Sequence, residues 1–415
     1  MQNHSAGTVA TVIVSALVLL GVSDAAGRSR AVAQPALAVT YRNSVPLGTT
    51  AADQNGATFT VAGLSGLTPL PDGRWCAVMD NSSKLVFLSP AIASDGSLTG
   101  APITGGLTLA QVRDYEDVVL SPRGPGRVVL ADESNRLSEW DLATGVLTGE
   151  PPVPADFASP RANFGFESLS RAGATLWFGN EEAMAIDGPV STASAGSSVR
   201  LQRLRARVVG GSVVYLAGPQ HRYVTAPLHG LSISGSRSGL VALVALDDGR
   251  LLSMERSLAL GTGLFQSRIY QVGLAGATET SGLASVNSAG VTPVTKTLLW
   301  SGFLDNIEGL AIGRRLPGGA LSLLGITDDG DPVSVNRLHA WTITGAPCGP
   351  ADLASPASIA LADGELTADD IIAFIGEFVA SGPRADVAGP VAPVPDGELT
   401  ADDIIAFIGL FFAGC

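Results

Sequence analysis

Between Gln34 and about Gly345 the chain alternates short apolar runs with turn-forming clusters. Trp75–Met79, Val128–Leu130, Leu176–Gly179, Leu251–Met254 and Leu321–Ile326 are such runs, and Pro-Asp-Gly, Asp-Asp-Gly and Pro-Gly-Gly recur among them. Runs of this length bounded by Gly, Pro and Asp predict short strands joined by tight turns. No long helical period interrupts them; Leu109–Arg113 amounts to one helical turn at most.

The last segment follows a different period. Asp363 to Gly376 (DGELTADDIIAFIG) recurs letter for letter as Asp396 to Gly409, at an offset of 33 residues. Within each copy Thr367 or Thr400 stands at a helix N-cap, with Asp370 or Asp403 three residues on to complete a capping box. Ile371, Ile372, Phe374, Ile375 and Phe378 then fall at helical spacing, as do Ile404, Ile405, Phe407, Ile408 and Phe411. Two short amphipathic helices, each too small to fold alone, are expected to pack apolar face to apolar face.

A looser repeat runs through the strand-rich region. A short motif of acid, small residue and aliphatic opens each copy and precedes a turn, and the following strand ends in acids or amides. The copies start at Ser65, Glu116, Glu167, Val241 and Glu308, spaced 51, 51, 74 and 67 residues apart. Their strands end at Asp80-Asn81, Asp132-Glu133, Glu181-Glu182, Glu255-Arg256 and Asp328-Asp329. This spacing suits four-stranded propeller blades, five to seven in number, with Tyr41–Val61 and Leu338–Thr344 available to close a further blade. The expected class is therefore all-β: a propeller over 34–345, then a small α-helical module over 346–415. A β-sandwich is the alternative, but it does not naturally place acids at such regular intervals.

Composition adds to this picture. The 415 residues include 50 Gly, only 15% are charged, and the formal net charge is −13. No concentrated cationic face is present, which excludes the usual basis for nucleic-acid binding. Thr8–Val22 is an apolar run too short for a comfortable membrane span, and Ala31-Val32-Ala33 offers a cleavage site, so 1–33 reads as an export signal, with a retained membrane anchor as the alternative because no Lys or Arg precedes the run. The mature chain then has no membrane span and is secreted or held at the cell surface. In an oxidising compartment Cys348 and Cys415 would close the last 68 residues into a loop, a disulfide worth about 4 kcal/mol in the chain-entropy model. Cys76, within Trp-Cys-Ala-Val, reads as a small buried hydrophobe.

Several catalytic patterns are absent: no G-x-S-x-G elbow, Walker A loop, C-x-x-C or H-E-x-x-H occurs. The repeated acids remain. In a propeller the inner strands line the axis, so Glu116, Glu167 and Glu308 are expected to converge from three blades. Asp80, Glu133, Glu182, Glu255 and Asp328 end the following strands, and some are expected at the same mouth. Converging carboxylates repel unless protons or a hard cation such as calcium compensate them. The candidate catalytic set is Glu116, Glu167 and Glu308, with Glu255 in support, and with Arg256 and Arg268 pairing either a substrate anion or the acids. The bland alternative is that these acids are solvated or cap turns.

The tail raises its own metal question. In an EF-type loop the first and third ligand positions would fall on Ile359 and Leu361, or on Ala392 and Val394 in the second copy, and none of these can coordinate. Asp352 and Asp386 supply alternative oxygens, so Asp352, Asp363 and Asp370, with Asp386, Asp396 and Asp403, form two candidate calcium sets. The competing reading is that they only cap helices.

Two family resemblances follow from these residues. The segment from Cys348-Gly-Pro-Ala-Asp through the duplicated helix to Phe-Phe-Ala-Gly-Cys415 resembles a GC-type dockerin domain. That resemblance implies docking to a cohesin-like protein or a cell-surface component, although the altered calcium loop departs from the ordinary pattern. Leu64 to Arg74, Asn163-Phe-Gly-Phe-Glu-Ser-Leu169, Asp247 to Arg256 and Asp305-Asn-Ile-Glu-Gly-Leu310 are similar to the "esterase-like activity of phytase" family. That likeness implies hydrolysis of a small ester or phosphoester. Ser65 and Val241 stand where the other copies carry Glu, so the acidic ring is incomplete. A non-catalytic propeller that binds or scaffolds is the alternative function.

Overall fold

A computed structural model of the chain describes residues 35–231, 233–260, 264–331, 334–354, 362, 365–389 and 394–414. The export segment expected over 1–33 lies outside the described residues. The apolar runs form strands gathered into five four-stranded antiparallel sheets. Blade 1 comprises Leu64–Pro69, Trp75–Met79, Ser82–Leu88 and Ile103–Arg113. Blade 2 comprises Tyr115–Leu120, Arg127–Asp132, Arg136–Asp141 and Leu147–Gly149. Blade 3 comprises Phe166–Ala172, Thr175–Asn180, Ser198–Val209 and Ser212–Val224. Blade 4 comprises Arg237–Ala245, Leu251–Ala259, Leu264–Gly273 and Thr295–Phe303. Blade 5 takes Ile307–Arg315, Leu321–Thr327 and Arg337–Thr344 from the end of the region, and Ala38–Pro46 from its beginning as outermost strand.

The first strand of each blade packs against the first strands of the two neighbouring blades, and blade 5 returns to blade 1. The ring is therefore a five-bladed propeller. The segment near Tyr41 does not begin a sixth blade; it completes the fifth, and the ring is closed by hydrogen bonds between chain segments some 300 residues apart. The spacing of 74 residues between the third and fourth copies reflects outer strands of 12 and 13 residues in blade 3. Leu109–Arg113 is not a helical turn but the end of the outer strand of blade 1.

Inner strands are buried on both faces, so they read as continuous apolar runs rather than alternating ones. Close approach at the axis demands small residues. A Cβ on Gly309 would lie 2.3 Å from the Ser65 carbonyl oxygen, and one on Gly66 would lie 2.1 Å from Asp117 Oδ1. Between blades, Trp140, Trp341, Tyr115, Phe166 and Phe178 fill the core, and Phe157, Phe166 and Phe178 meet with centroids 4.8–5.7 Å apart. Cys76 is fully buried as expected, and burial pushes its thiol up to about 12.

Two helices follow the propeller, Ala368–Val379 and Ala401–Ala413, each opened by the expected capping box at Thr367 or Thr400. Phe374 and Phe407, equivalent in the duplication, stack with centroids 4.0 Å apart at 9°. Ile371, Ile372, Ile405 and Ile408 do not join that interface; they are exposed, and Ala373, Phe374 and Phe407 are the helices' buried apolar residues. Val394 enters the apolar core of blade 3, where Val208 N–H donates to the Pro395 carbonyl (3.2 Å). Cys415 lies outside the described residues, and so does its expected pairing with Cys348. No helix among the described residues is long and apolar enough to cross a membrane.

Candidate functional site

Every inner strand carries a register break at the same place. Pairing skips Ser65-Gly66 between Leu64 and Leu67, Glu116 between Tyr115 and Asp117, and Glu167 between Phe166 and Ser168. It skips Val241 between Leu240 and Ala242, and Glu308 between Ile307 and Gly309. Such a β-bulge leaves a residue unpaired and re-aims its side chain. The preceding residue in each blade, Leu64, Tyr115, Phe166, Leu240 or Ile307, is fully buried and anchors the strand just before the bulge. The five repeat starts are thus five equivalent bulges, and three present glutamates toward the axis.

A second rank comes from the neighbouring strand. Leu64, Tyr115, Phe166, Leu240 and Ile307 pair with Met79, Asp132, Asn180, Glu255 and Thr327. One residue further on stand Asp80, Glu133, Glu181, Arg256 and Asp328. Four carboxylates and one guanidinium therefore occupy equivalent positions above the glutamates.

The two ranks separate into halves. In the first half, one carboxylate oxygen each from Glu116, Glu133 and Glu167 lie within 4.8 Å of one another. Glu167 Oε2 is buried without a hydrogen-bond partner, while Glu133 Oε2 accepts from Gly165 N–H at 2.9 Å. In the second half Arg256, itself buried, acts as an internal cation. Its Nη2 donates to Glu181 Oε1 (2.7 Å), and its Nη1 donates to Glu308 Oε1 and to Asn306 Oδ1 (2.8 Å). Asn306 Nδ2 donates in turn to Glu308 Oε1 and Asp328 Oδ2, both at 3.0 Å. Among the described residues, Glu308 Oε2 receives only a long bond from the Ser65 hydroxyl (3.4 Å). Glu181 Oε2 and Arg256 Nε are buried and unpartnered.

Electrostatics follow that division. Burial, and then the neighbouring Glu167 and Glu308, raise Glu116 well above the usual carboxylate range. Glu167 rises likewise through burial and then Glu181. Burial and then Glu181 raise Glu133 to about 8. Glu308 is raised by burial but held to about 7, because Arg256 favours its charged form. Asp80 rises to about 6 through burial and the facing Asp328. Unmet by a cation, the Glu116–Glu133–Glu167 group holds protons near neutral pH.

Among the expected residues, Glu116, Glu167, Glu308 and Arg256 are brought together. Glu255 is not. It shares the rank of Asp132 and Asn180, and it accepts from Tyr223 Oη (2.5 Å), Ala226 N–H (2.7 Å) and the Lys296 ammonium. Its carboxylate therefore joins blade 4 to the preceding loop, away from the cluster. Glu182 is engaged similarly by Ser191 and Ser238, and Arg268 Nη1 donates to the Pro227 carbonyl at 3.2 Å. Sequence reasoning marked Glu181-Glu182 as a strand end but chose Glu182 for the mouth, and it passed over Asn306, which stands two residues before Glu308 in a repeat start already marked. It also passed over Asp117, whose carboxylate accepts from Val118 N–H (2.8 Å) and from Leu169 N–H of the next blade (2.7 Å).

The tail acids behave differently. Asp370 accepts from Leu353 and Ala354 N–H (2.6 and 2.8 Å) and from Thr367 N–H (2.8 Å). Asp403 repeats this with Val387, Ala388 and Thr400. Asp386 accepts from Asp396 and Gly397 N–H, Asp396 from Glu398 N–H, and Asp352 from Cys348 N–H. Asp363 lies outside the described residues. In the second copy Asp386, Asp396 and Asp403 do not form a metal-sized group, and among the described residues Glu116, Glu133 and Glu167 do. The described tail carboxylates accept from backbone N–H groups, as caps do.

A family model described as "Phytase-like: Esterase-like activity of phytase" matches residues 60–331, more than half the chain and all five bulges. The chain belongs to this family. No curated protein matches it. Among solved structures, a streptogramin B lyase is 10% identical, with 74% of this chain and 99% of that chain covered, at a TM-score of 0.30. The phytase-like match ends before the two helices, so the tail stands apart from it.

Proposed function

We propose that this phytase-like propeller is an exported, calcium-assisted hydrolase of ester or phosphoester bonds. The observation that carries the reading is the gathering of Glu116, Glu133 and Glu167, with Glu167 Oε2 buried and unpartnered. Three carboxylates with oxygens at that spacing, one of them carrying an oxygen without a donor, fit a hard divalent cation. Glu116, Glu133 and Glu167 would hold calcium, which when bound polarises an ester or phosphoryl oxygen and neutralises the carboxylates. Glu308 is the general base: Arg256 and Asn306 fix its Oε1, leaving Oε2 to take the proton of an attacking water. An acid constant of about 7 matches that role at neutral pH. Arg256 acts as a positioning residue, keeping Glu308 and Glu181 in place. Clustered carboxylates favour this reading over a non-catalytic binding propeller.

The same proposal takes 1–33 as an export signal and 346–415 as a dockerin-type module engaging a cohesin-like partner or a cell-surface component. Support for the second point comes from apolar residues that the fold leaves uncovered at equivalent places, Ile372 with Ile405 and Val379 with Phe412. Assay of 4-nitrophenyl esters and phosphates with calcium and with EDTA, followed by Glu167→Gln and Glu308→Gln, tests the hydrolase. Turnover that survives EDTA and both substitutions removes these residues from the mechanism.

A further inference from the structure

Above the mouth, blade 4 is built unlike the others. Its first two strands run past the bulge, so that Arg237, Ser238 and Gly239 pair with Leu258, Ser257 and Arg256. The preceding loop, through Ile233, folds onto the end of the second strand. Ser236 Oγ accepts from both Ile233 N–H (3.2 Å) and Leu260 N–H (3.1 Å). Ile233 and Leu260 are both exposed there. On the other side, Ser238 N–H donates to Ser191 Oγ (2.9 Å) and Glu182 Oε1 (3.3 Å). The backbone of Arg237 is thus pinned before and after.

Its side chain is not. Among the described residues the half-buried Arg237 guanidinium makes no side-chain hydrogen bond or ion pair. Arg237 stands two residues before Gly239, the cross-strand partner of Arg256, so its side chain projects from the face of the sheet that Arg256 uses, where a Cβ on Gly239 would lie 2.3 Å from Glu181 Cγ. That face carries the Arg237 guanidinium to the mouth from blade 4, one cross-strand pair beyond Arg256 on the same side. Arg256 beneath it is committed to Glu181 and Glu308, whereas Arg237, among the described residues, has no carboxylate partner and is available to a ligand.

We infer that this lip is a recognition element, with Arg237 binding an anionic head group and Ile233 and Leu260 covering an apolar organic group attached to it. The inference rests on the mouth being the ligand site, and it narrows the substrate to an amphiphilic monoester of a phosphorus acid or a similar oxyanion. Arg suits such a head through its fork of donors. The lip supplies apolar surface that the acidic ring lacks.

Calorimetric titration of the full chain in calcium with phenylphosphonate and methylphosphonate, which carry no cleavable ester, tests this directly. Wild type is expected to bind phenylphosphonate about tenfold more tightly than methylphosphonate. Arg237→Gln should weaken both by about tenfold or more. Ile233→Ser with Leu260→Ser, at exposed positions, should erase the difference and leave methylphosphonate binding intact. An Arg237→Gln chain that binds both phosphonates as wild type does overturns the inference, as does a phenyl preference that survives in the lip variant. Expected binding without turnover of any ester sinks the hydrolase but leaves this recognition in place. Turnover of 4-nitrophenyl phosphate with KM unchanged by Arg237→Gln does the reverse.

Discussion

Arg256 Nη2 and Glu181 Oε1 meet at 2.7 Å, with both side chains buried, and the same guanidinium also binds Glu308. One arginine from blade 4 thereby joins blades 3 and 5 at the propeller axis. It stands where the other four blades present carboxylates.

Removing it should be costly. Arg256→Met leaves Glu181 and Glu308 buried without their counter-charge, and breaking a buried pair in this way costs about 3–5 kcal/mol. Urea unfolding followed by fluorescence should show a loss of unfolding free energy of that size. A shift below about 1 kcal/mol would place Arg256 outside the structural network.

The glutamate trio should report a cation without any catalytic assay. Calcium at a hundred times its dissociation constant should stabilise wild type by about 2.7 kcal/mol in thermal unfolding. Glu116→Gln or Glu167→Gln should lose most of that gain, since each removes one ligand charge. Equal calcium response in wild type and both variants would place the ion elsewhere.

Stability should also depend on pH with a specific sign. Glu133, Glu308 and Asp80 titrate in the folded chain at about 8, 7 and 6, above their unfolded values. The native state therefore holds more protons than the unfolded state, and its stability falls as pH rises from the unfolded carboxylate range through these values. In EDTA the thermal midpoint should drop by ~5 °C or more between pH 5 and pH 8. Calcium should flatten the dependence. A midpoint that rises with pH in EDTA contradicts the buried acidic ring.

Activity adds a second pH test. With Glu308 as base, kcat should fall as pH drops below about 7. Arg256→Lys weakens the hold on Glu308, so the acidic limb should move upward while the fold survives. An unmoved limb would argue against Glu308 as the titrating base.

In the tail, capping and metal binding separate cleanly. Asp370→Ala or Asp403→Ala strands the amide donors of Leu353 and Ala354, or of Val387 and Ala388. Each should destabilise the helical segment by ~2 kcal/mol, seen by circular dichroism, equally with calcium and with EDTA. Loss seen only in calcium would instead identify a metal site there.

Much of this was legible in residue order. The capping boxes at Thr367 and Thr400 are local, since an N-cap and the residue three positions on are neighbours whatever the rest of the chain does. Ser65, Glu116, Glu167, Val241 and Glu308 were visible as repeat starts because each blade reuses one local pattern of anchor, bulge and strand. Which acid of each closing pair turns inward was not legible. Glu255 and Arg256 are adjacent, yet only Arg256 reaches the axis, because neighbouring residues of a strand face opposite sides and the cross-strand register selects between them. The blade count likewise depended on Ala38–Pro46 pairing with a strand some 300 residues away. The chain order by itself therefore determined the repeating unit and the acids it carries, through contacts among near neighbours. Ring closure and register, which are set by packing between distant strands, decided which of those acids meet and which one an arginine neutralises.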